Sequence, residues 1–245
     1  MIAPRSPVTA AGPALPEAAQ AAAGEAAFLR LLGLLFERPR PEWAEEVRSL
    51  SHESSDGRLQ DLARMALTVG EGEYLAAFGP GGFVSPREVA YGRFVDPGRV
   101  MAELSGIYTA FAYRPRAEDP IDHVAVEIGF AGYLALKEAY ALSMEDREGA
   151  DQARAARVLF LDTHLRPLAA AIRGRLAGSE PSHLDGAAAV LAEWAGCPDA
   201  GATEAGVAVD PAATLGGGVC ASLIDGDDTD MTCGGCSTED PARPS

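Results

Sequence analysis

Apolar positions recur with helical spacing through most of the chain, and the first such segment begins at Glu25. From Ala26 to Phe36 nearly every position is apolar, which predicts a helix that is buried on all sides. The segment stops before Pro39, because the residue preceding a proline is pushed out of the helical region. Pro41 then opens a second helix, since proline is tolerated in a first turn.

The pattern predicts two shorter helices at residues 58–69 and 71–78. The run Gly79-Pro80-Gly81-Gly82 ends the second of them, because glycine and proline disfavour a helix interior. Asp96 followed by Pro97 is typical of an N-cap and a first helical position, so another helix begins there.

The longest amphipathic pattern follows Asp119 and Pro120, which repeat the capping arrangement of the preceding helix. A central helix is therefore predicted from Pro120 to about Leu142. Another long helix is predicted at residues 151–177, with a kink where Pro167 removes a backbone donor. Its inward positions are predicted to be Val158, Leu161, Leu165, Leu168 and Ile172.

A last short helix is predicted to be capped by Asp185 and to end near Trp194. Residues 1–22 are rich in alanine and proline without a period that would bury one face, so they are interpreted as a flexible leader. Residues 197–245 carry few large apolar groups and are interpreted as an irregular tail. The sequence thus predicts an all-α, single-domain helical bundle over residues 23–196.

Charge narrows the range of possible partners. The formal net charge is −16, and residues 197–245 hold nine acidic side chains against one basic side chain. Binding to nucleic acid requires lysine and arginine to neutralise phosphates, so that class of partner is excluded and basic partners are favoured. The start of the chain lacks the pattern of a signal peptide, and no uninterrupted apolar run spans a bilayer, which predicts a cytoplasmic protein without stable membrane insertion.

The four cysteines lie in the tail and leave the predicted bundle without a disulfide framework, as expected in a reducing compartment. Cys233 and Cys236 have the short spacing that lets two thiolates hold one tetrahedral metal ion. Cys197 and Cys220 could complete a four-thiolate site for zinc or an iron–sulfur cluster. The alternative is an unliganded tail whose cysteines can oxidise.

The stretch from Asp119 to Glu127 is the most informative part of the predicted bundle. Asp119 can cap the central helix, and Asp122 stands where a capping box places an acid. His123 and Glu127 are one helical turn apart on one face. From chemistry alone, a well-capped helix whose histidine pairs with carboxylates is favoured over a functional site.

Four segments, in this order, carry a resemblance to a known family. They are Pro86-Arg87-Glu88-Val89-Ala90-Tyr91, Tyr108-Thr109-Ala110-Phe111, Asp119-Pro120-Ile121-Asp122-His123 with Glu127, and Phe160-Leu161-Asp162-Thr163-His164-Leu165. The order resembles the TorD/DmsD/NarJ group of redox-enzyme maturation chaperones over about residues 25–195. The chain departs from the group's pattern at Asp119, where glutamate is usual, and at Leu168, where an aromatic residue is common.

The resemblance implies a cytoplasmic chaperone without enzymatic activity. It would bind the twin-arginine leader or N-terminal segment of a molybdopterin oxidoreductase subunit, assist cofactor insertion and delay export or assembly. Some members of the group are linked to guanine nucleotide binding. Carried over by position, the client-binding candidates are Glu88, Tyr91, Tyr108, Asp119, Asp122, His123, Glu127 and His164.

Several alternatives stay open at this point. Asp119 and Asp122 suit a bidentate pairing with a client arginine, but Asp119 can equally be used as a helix cap. Tyr91 and Tyr108 can equally be core aromatics. The protein can be a monomer, or a homodimer whose protomers exchange helices through a hinge at residues 114–120.

Two rival functions remain. The cysteine tail could carry a metal or cluster to the same type of client, and His123 with Asp122 could serve a helical hydrolase. The sequence has no nucleophile elbow, phosphate-binding loop or zinc-protease helix, so no catalytic constellation supports an enzyme.

Overall fold

Nine α-helices form the part of the chain that the computed structural model describes, which is residues 15–92, 96–115, 119–177 and 182–198. They are α1 (Glu17–Leu35), α2 (Trp43–Glu53), α3 (Gly57–Val69), α4 (Glu71–Phe78), α5 (Pro97–Ala110), α6 (Val124–Ser143), α7 (Arg147–Phe160), α8 (Arg166–Leu176) and α9 (His183–Trp194). A 3-10 turn (Glu88–Ala90) precedes α5, and a π-helical segment (Leu161–Leu165) joins α7 to α8. These residues contain no β-strand, which confirms the predicted all-α class.

Helix α1 begins at Glu17, well before the predicted start at Glu25. Alanine has the highest helix propensity, and Ala19, Ala22 and Ala26 are buried at helical spacing. This buried face consists of small side chains, whereas the predicted helix was based on large apolar side chains. The predicted irregular leader is therefore wrong for its last residues, while residues 1–14 lie outside the described part of the chain.

The core is built around α1 and α6, which make the most extensive contact in the described chain. The helices approach closely at Gly132, where an added Cβ would lie 3.2 Å from the Cβ of Leu29. Phe130 reaches the other flank of α6 and packs edge-on against Phe160 of α7, with 4.8 Å between ring centroids. Helix α6 is thus contacted on several sides and forms the centre of the bundle.

Helix α1 has the length and apolar composition of a membrane-crossing helix, the one such helix among the described residues. Half of its most apolar window is buried inside the bundle. The C-terminal half from Leu31 to Phe36 is wholly buried against neighbouring helices. Packing within the bundle therefore accounts for its apolar composition.

The predicted helix at residues 151–177 is one helical run, but the π-helical segment interrupts it. Pro167 has no N–H to bond the carbonyl four residues earlier, and Arg166 N–H instead reaches back to Leu161 O. A π-turn adds a residue and rotates the inward face. Val158 is consequently 52% exposed and its predicted inward position is wrong, whereas Leu168 is buried as predicted.

The helix caps agree with the sequence at one position and differ at another. Asp96 accepts a hydrogen bond from Gly98 N–H and caps α5, as predicted. Helix α9 is capped by Ser182, whose side chain accepts from Asp185 N–H, so the predicted cap at Asp185 is wrong. Asp185 lies in the first turn, where its charge still favours the helix N-terminus.

A buried ion network ties α1, α6 and α7 together. Glu138 of α6 is 4% exposed and accepts hydrogen bonds from Arg154 at 2.9 Å and Arg157 at 2.7 Å. Arg157 also pairs with Glu25 of α1. The buried carboxylate is therefore compensated by two arginines, as a buried charge requires.

Candidate functional site

The segment before the 3-10 turn pairs with the segment before α6. Val124 N–H donates to Pro86 O at 2.8 Å, and Glu88 N–H donates to Asp122 O at 2.9 Å. Arg87 and His123 form an isolated antiparallel bridge between these two hydrogen bonds. The bridge brings together the first and third of the four sequence segments that carry the family resemblance.

Asp122 is fully buried, and an arginine of the same chain binds its carboxylate. Arg87 Nε lies 2.9 Å from Oδ1 and 3.2 Å from Oδ2. Val89 N–H adds a longer contact to Oδ2 at 3.4 Å. Asp122 thus pairs with an arginine of its own chain, which fixes the loop that carries the 3-10 turn, and its pairing with a client arginine stays a prediction.

His123 is the N-cap of α6, so the predicted capping by Asp119 and the capping box at Asp122 are wrong. Pro120 and His123 close a turn through a backbone hydrogen bond, which delays the helix until Val124. Ala125 N–H donates to His123 Nδ1 at 3.2 Å. Burial lowers the pKa of His123 to about 4, so the ring is neutral near pH 7.

Glu127 lies in the first turn of α6 and is wholly buried. Neither of its carboxyl oxygens has a hydrogen-bond partner among the described residues, and Glu88 lies near enough to act on it electrostatically. Burial, and then the negative charges of Glu88 and Asp122, raise the pKa of Glu127 well above its ordinary value. The fold therefore favours the protonated form of Glu127.

His164 completes this arrangement from the π-helical segment. Its Nδ1 lies 3.1 and 3.2 Å from the two oxygens of Glu88. A carboxylate can only accept, so His164 donates through Nδ1. The ring also stacks on Phe160 at 5.3 Å. We call Glu88, Asp122, His123, Glu127 and His164 the buried polar cluster.

The two tyrosines among the site candidates border this cluster. Tyr108 is 3% exposed and donates to Ile121 O at 3.0 Å, while its ring packs on Phe130. Burial raises its pKa, and the charge of Glu127 adds to the effect. Tyr91 donates to Ser85 O at 2.6 Å. Both side chains thus serve packing and loop attachment in the described structure.

An open groove lies between α1, α4 and α6. It encloses a cavity of about 880 Å³. Its lining is Ala23, Ala26, Ala27, Arg30, Glu37, Arg38, Arg40, Leu50, Tyr74, Leu75, Phe78, Gly79, Pro80, Tyr113, Arg114, Asp119, Ala125, Val126, Gly129, Gly132, Tyr133 and Leu136. Asp119 is the one member of the predicted site set in this lining.

Ion pairs dominate one end of the groove. Arg30 binds Glu37 at 2.7 Å and Glu46 at 2.6 Å. Arg40 contacts the same two acids at 3.3 and 3.1 Å. The groove thus carries the carboxylates of Glu37 and Asp119 together with several arginines.

Cys197 is the one tail cysteine within the described residues. Its thiol donates to Arg166 O at 3.5 Å, and burial raises the thiol pKa. Cys220, Cys233 and Cys236 lie outside the described residues, so the metal site stays a prediction. Within the described ranges no group of histidine, cysteine and acidic side chains is arranged to hold a metal ion.

Two kinds of residue that shape the site were not predicted from the sequence, namely the partner of Asp122 and the residues that line the groove. Arg87 lies inside the quoted segment, but a long-range pairing with Asp122 has no local signal. Tyr74 and the small side chains of the groove, such as Ala27 and Gly129, resemble ordinary helix residues in sequence. A missed signal was the abundance of alanine and glycine on the facing sides of α1 and α6.

Comparison with known proteins supports the resemblance. No curated protein matches the chain significantly. The family model described as "Nitrate reductase delta subunit" matches residues 26–172, more than half of the chain. That family is of the chaperone type and is not a family of catalytic enzymes. The chain therefore belongs to the nitrate reductase delta subunit family, whose members are maturation chaperones of molybdoenzymes.

Proposed function

We propose that the protein binds an N-terminal segment of a molybdoenzyme subunit in the groove between α1, α4 and α6. Where that subunit has a twin-arginine leader, the leader is part of the bound segment. Occupation of the groove assists cofactor insertion and delays export or assembly. The observation that carries this proposal is the groove itself, an open apolar trench with a charged end in a member of a chaperone family.

The floor of the groove suits an apolar segment. Ala23 and Ala27 of α1 and Gly129 of α6 all line the groove, and these small residues leave the trench open. Leu136 forms part of the wall and is 55% exposed. An apolar side chain that enters this trench leaves water, at a gain of about 25 cal/mol per Å² of buried apolar surface.

The charged end suits the basic flank of such a segment. Glu37 and Asp119 line it, and a client arginine can take the place of Arg30 or Arg40 on Glu37. Exchanging one arginine for another conserves the charge-assisted hydrogen bonds. This exchange favours segments that combine arginine with an apolar run.

The test is calorimetric titration of the full chain with a synthetic peptide. The peptide covers the N-terminal segment of a molybdoenzyme subunit from the same cell. Ala27→Trp places a large ring in the groove from an exposed position of α1, and Ala21→Trp is the matched control, because Ala21 is also exposed on α1 but does not line the groove. We expect Ala27→Trp to weaken binding at least tenfold and Ala21→Trp to leave it unchanged.

Two further results decide the proposal. A peptide with lysines in place of the paired arginines should bind more weakly, because lysine cannot form the bidentate contact. Equal binding of both peptides would remove the twin-arginine preference and keep the groove. Unaltered binding to the Ala27→Trp protein, or no binding to the wild type, would overturn the groove as the client site.

A further inference from the structure

Tyr74 of α4 joins the groove to the buried polar cluster. It lines the groove and is 7% exposed. Its ring packs edge-on against Phe78, with 5.5 Å between centroids. Its hydroxyl lies 3.3 Å from Nε2 of His123. This hydrogen bond is a direct connection between a groove wall and the N-cap of α6.

The direction of the hydrogen bond follows from the cap. Ala125 N–H donates to Nδ1 of His123, so that nitrogen carries no hydrogen. A neutral imidazole then carries its hydrogen on Nε2 and donates it to the Tyr74 oxygen. The hydroxyl hydrogen of Tyr74 is directed elsewhere. Burial raises the pKa of Tyr74 to about 12, so the hydroxyl keeps this hydrogen near neutral pH.

The surroundings of the hydroxyl belong to the charged end of the groove. Tyr74 is within electrostatic reach of Asp119, Arg38 and Glu37, and all three line the groove. The hydroxyl therefore stands between the buried histidine and the space where a client segment would lie.

We propose that the Tyr74 hydroxyl donates a hydrogen bond to an acceptor of the bound segment, and that His123 is the positioning residue that holds Tyr74 for this contact. The inference rests on the proposed function, because it concerns the same groove. The acceptor is a backbone carbonyl or a carboxylate of the segment. His123 is buried and does not contact the client, so it acts on the groove only through Tyr74.

Two substitutions separate this role from the stability of the helix. Tyr74→Phe removes the hydroxyl and keeps the ring. His123→Asn keeps an N-cap, because asparagine is among the best capping residues, but its shorter side chain does not reach Tyr74. We expect each variant to bind the peptide about fivefold more weakly, the usual effect of one lost hydrogen bond.

The double variant gives the decisive result. If His123 acts through Tyr74, the double variant binds no more weakly than either single variant. Losses that multiply to about 25-fold would show independent effects and overturn the positioning role. Wild-type affinity in the Tyr74→Phe protein would overturn the contact itself.

A measurement without peptide distinguishes a failure of this inference from a failure of the proposed function. In protein labelled with 3-fluorotyrosine, the ¹⁹F resonance of Tyr74 is assigned by its loss in Tyr74→Phe. His123→Asn should shift that resonance, and Ser182→Asn, a cap exchange at α9, should leave it in place. An unshifted resonance would overturn the positioning role, whereas absence of peptide binding to the wild type would overturn the client contact together with the proposed function.

Discussion

The buried polar cluster and the groove differ in what the sequence reveals of them. The cluster consists of acids and histidines in recognisable segments, and Asp122, His123 and Glu127 are at most 2% exposed. The groove consists mainly of alanine, glycine and common apolar residues, and it is open to solvent. The most recognisable residues are therefore buried in the fold, and the least recognisable ones shape the proposed binding surface.

Because of this difference, substitutions in the two regions should have separate effects. Substitutions in the cluster should act first on the free energy of unfolding, because each removes a partner from a buried polar group. Substitutions at exposed positions of the groove, such as Ala27 and Leu136, should act first on client affinity, because these side chains contribute little to the core. Tyr74 and His123 are where the two regions meet.

The largest effect is expected for Asp122→Ala. It removes a wholly buried carboxylate and leaves Arg87 and Val89 N–H without their acceptor. Arg87 is 41% exposed, so water can solvate its guanidinium in the variant. The unfolding free energy should therefore fall by about 3 kcal/mol, the lower end of the range for breaking a buried ion pair. Urea denaturation measures the loss.

The control for this substitution is Asp151→Ala, which removes an exposed carboxylate from Arg154. Exposed pairs contribute little, so its denaturation curve should coincide with that of the wild type. If Asp122→Ala kept wild-type stability but lost client affinity, the carboxylate would belong to the client contacts and the assignment of separate effects would be reversed.

The second effect depends on pH and concerns Glu127→Gln. The folded-state pKa of Glu127 is raised by burial, so its stabilising contribution is present below the ordinary pKa of a glutamate and is lost as the pH rises through the folded-state pKa. Glutamine resembles the protonated acid and does not titrate. The unfolding free energy of the variant, relative to wild type, should therefore rise with pH by up to about 1.4 kcal/mol per unit.

Urea denaturation at about pH 5, 6.5 and 8 tests this slope. The comparison with wild type at each pH cancels the titration of His123 and His183, whose lowered pKa values give the opposite trend in acid. A difference that is constant across these pH values would show that Glu127 is ionised in the folded protein. The raised pKa of Glu127 would then be wrong.

Local signals in the sequence were sufficient for much of the fold. The bounds of α4 follow from Gly70 and from the Gly79-Pro80-Gly81-Gly82 run, and Asp96 caps α5 as its sequence indicates. Such signals act within one turn of the chain. They therefore predict helix ends without knowledge of tertiary packing.

The remaining features depend on contacts between distant residues. His123 became the N-cap in place of Asp119 because the 86–89 segment pairs with residues 122–124 before the helix begins. The π-helical segment rotated α7 relative to α8, which moved Val158 out of the core. The groove leaves only a compositional signal, the alanines and glycines of α1 and α6, and these small side chains matter only where the two helices face each other.

The smallest effect on stability is expected in the groove wall, at Leu136→Ser. Leu136 is 55% exposed, so its loss should lower the unfolding free energy by about 0.5 kcal/mol, well below a core substitution. The same change removes apolar contact surface from the groove and should weaken peptide binding several-fold. Val158→Ser is the matched control, because Val158 is 52% exposed on α7 and does not line the groove. Denaturation and calorimetric titration of both variants separate the two properties. Equal affinity losses in both would show that exposed apolar surface anywhere on the bundle attracts the peptide, whereas a loss confined to Leu136→Ser locates recognition in the groove.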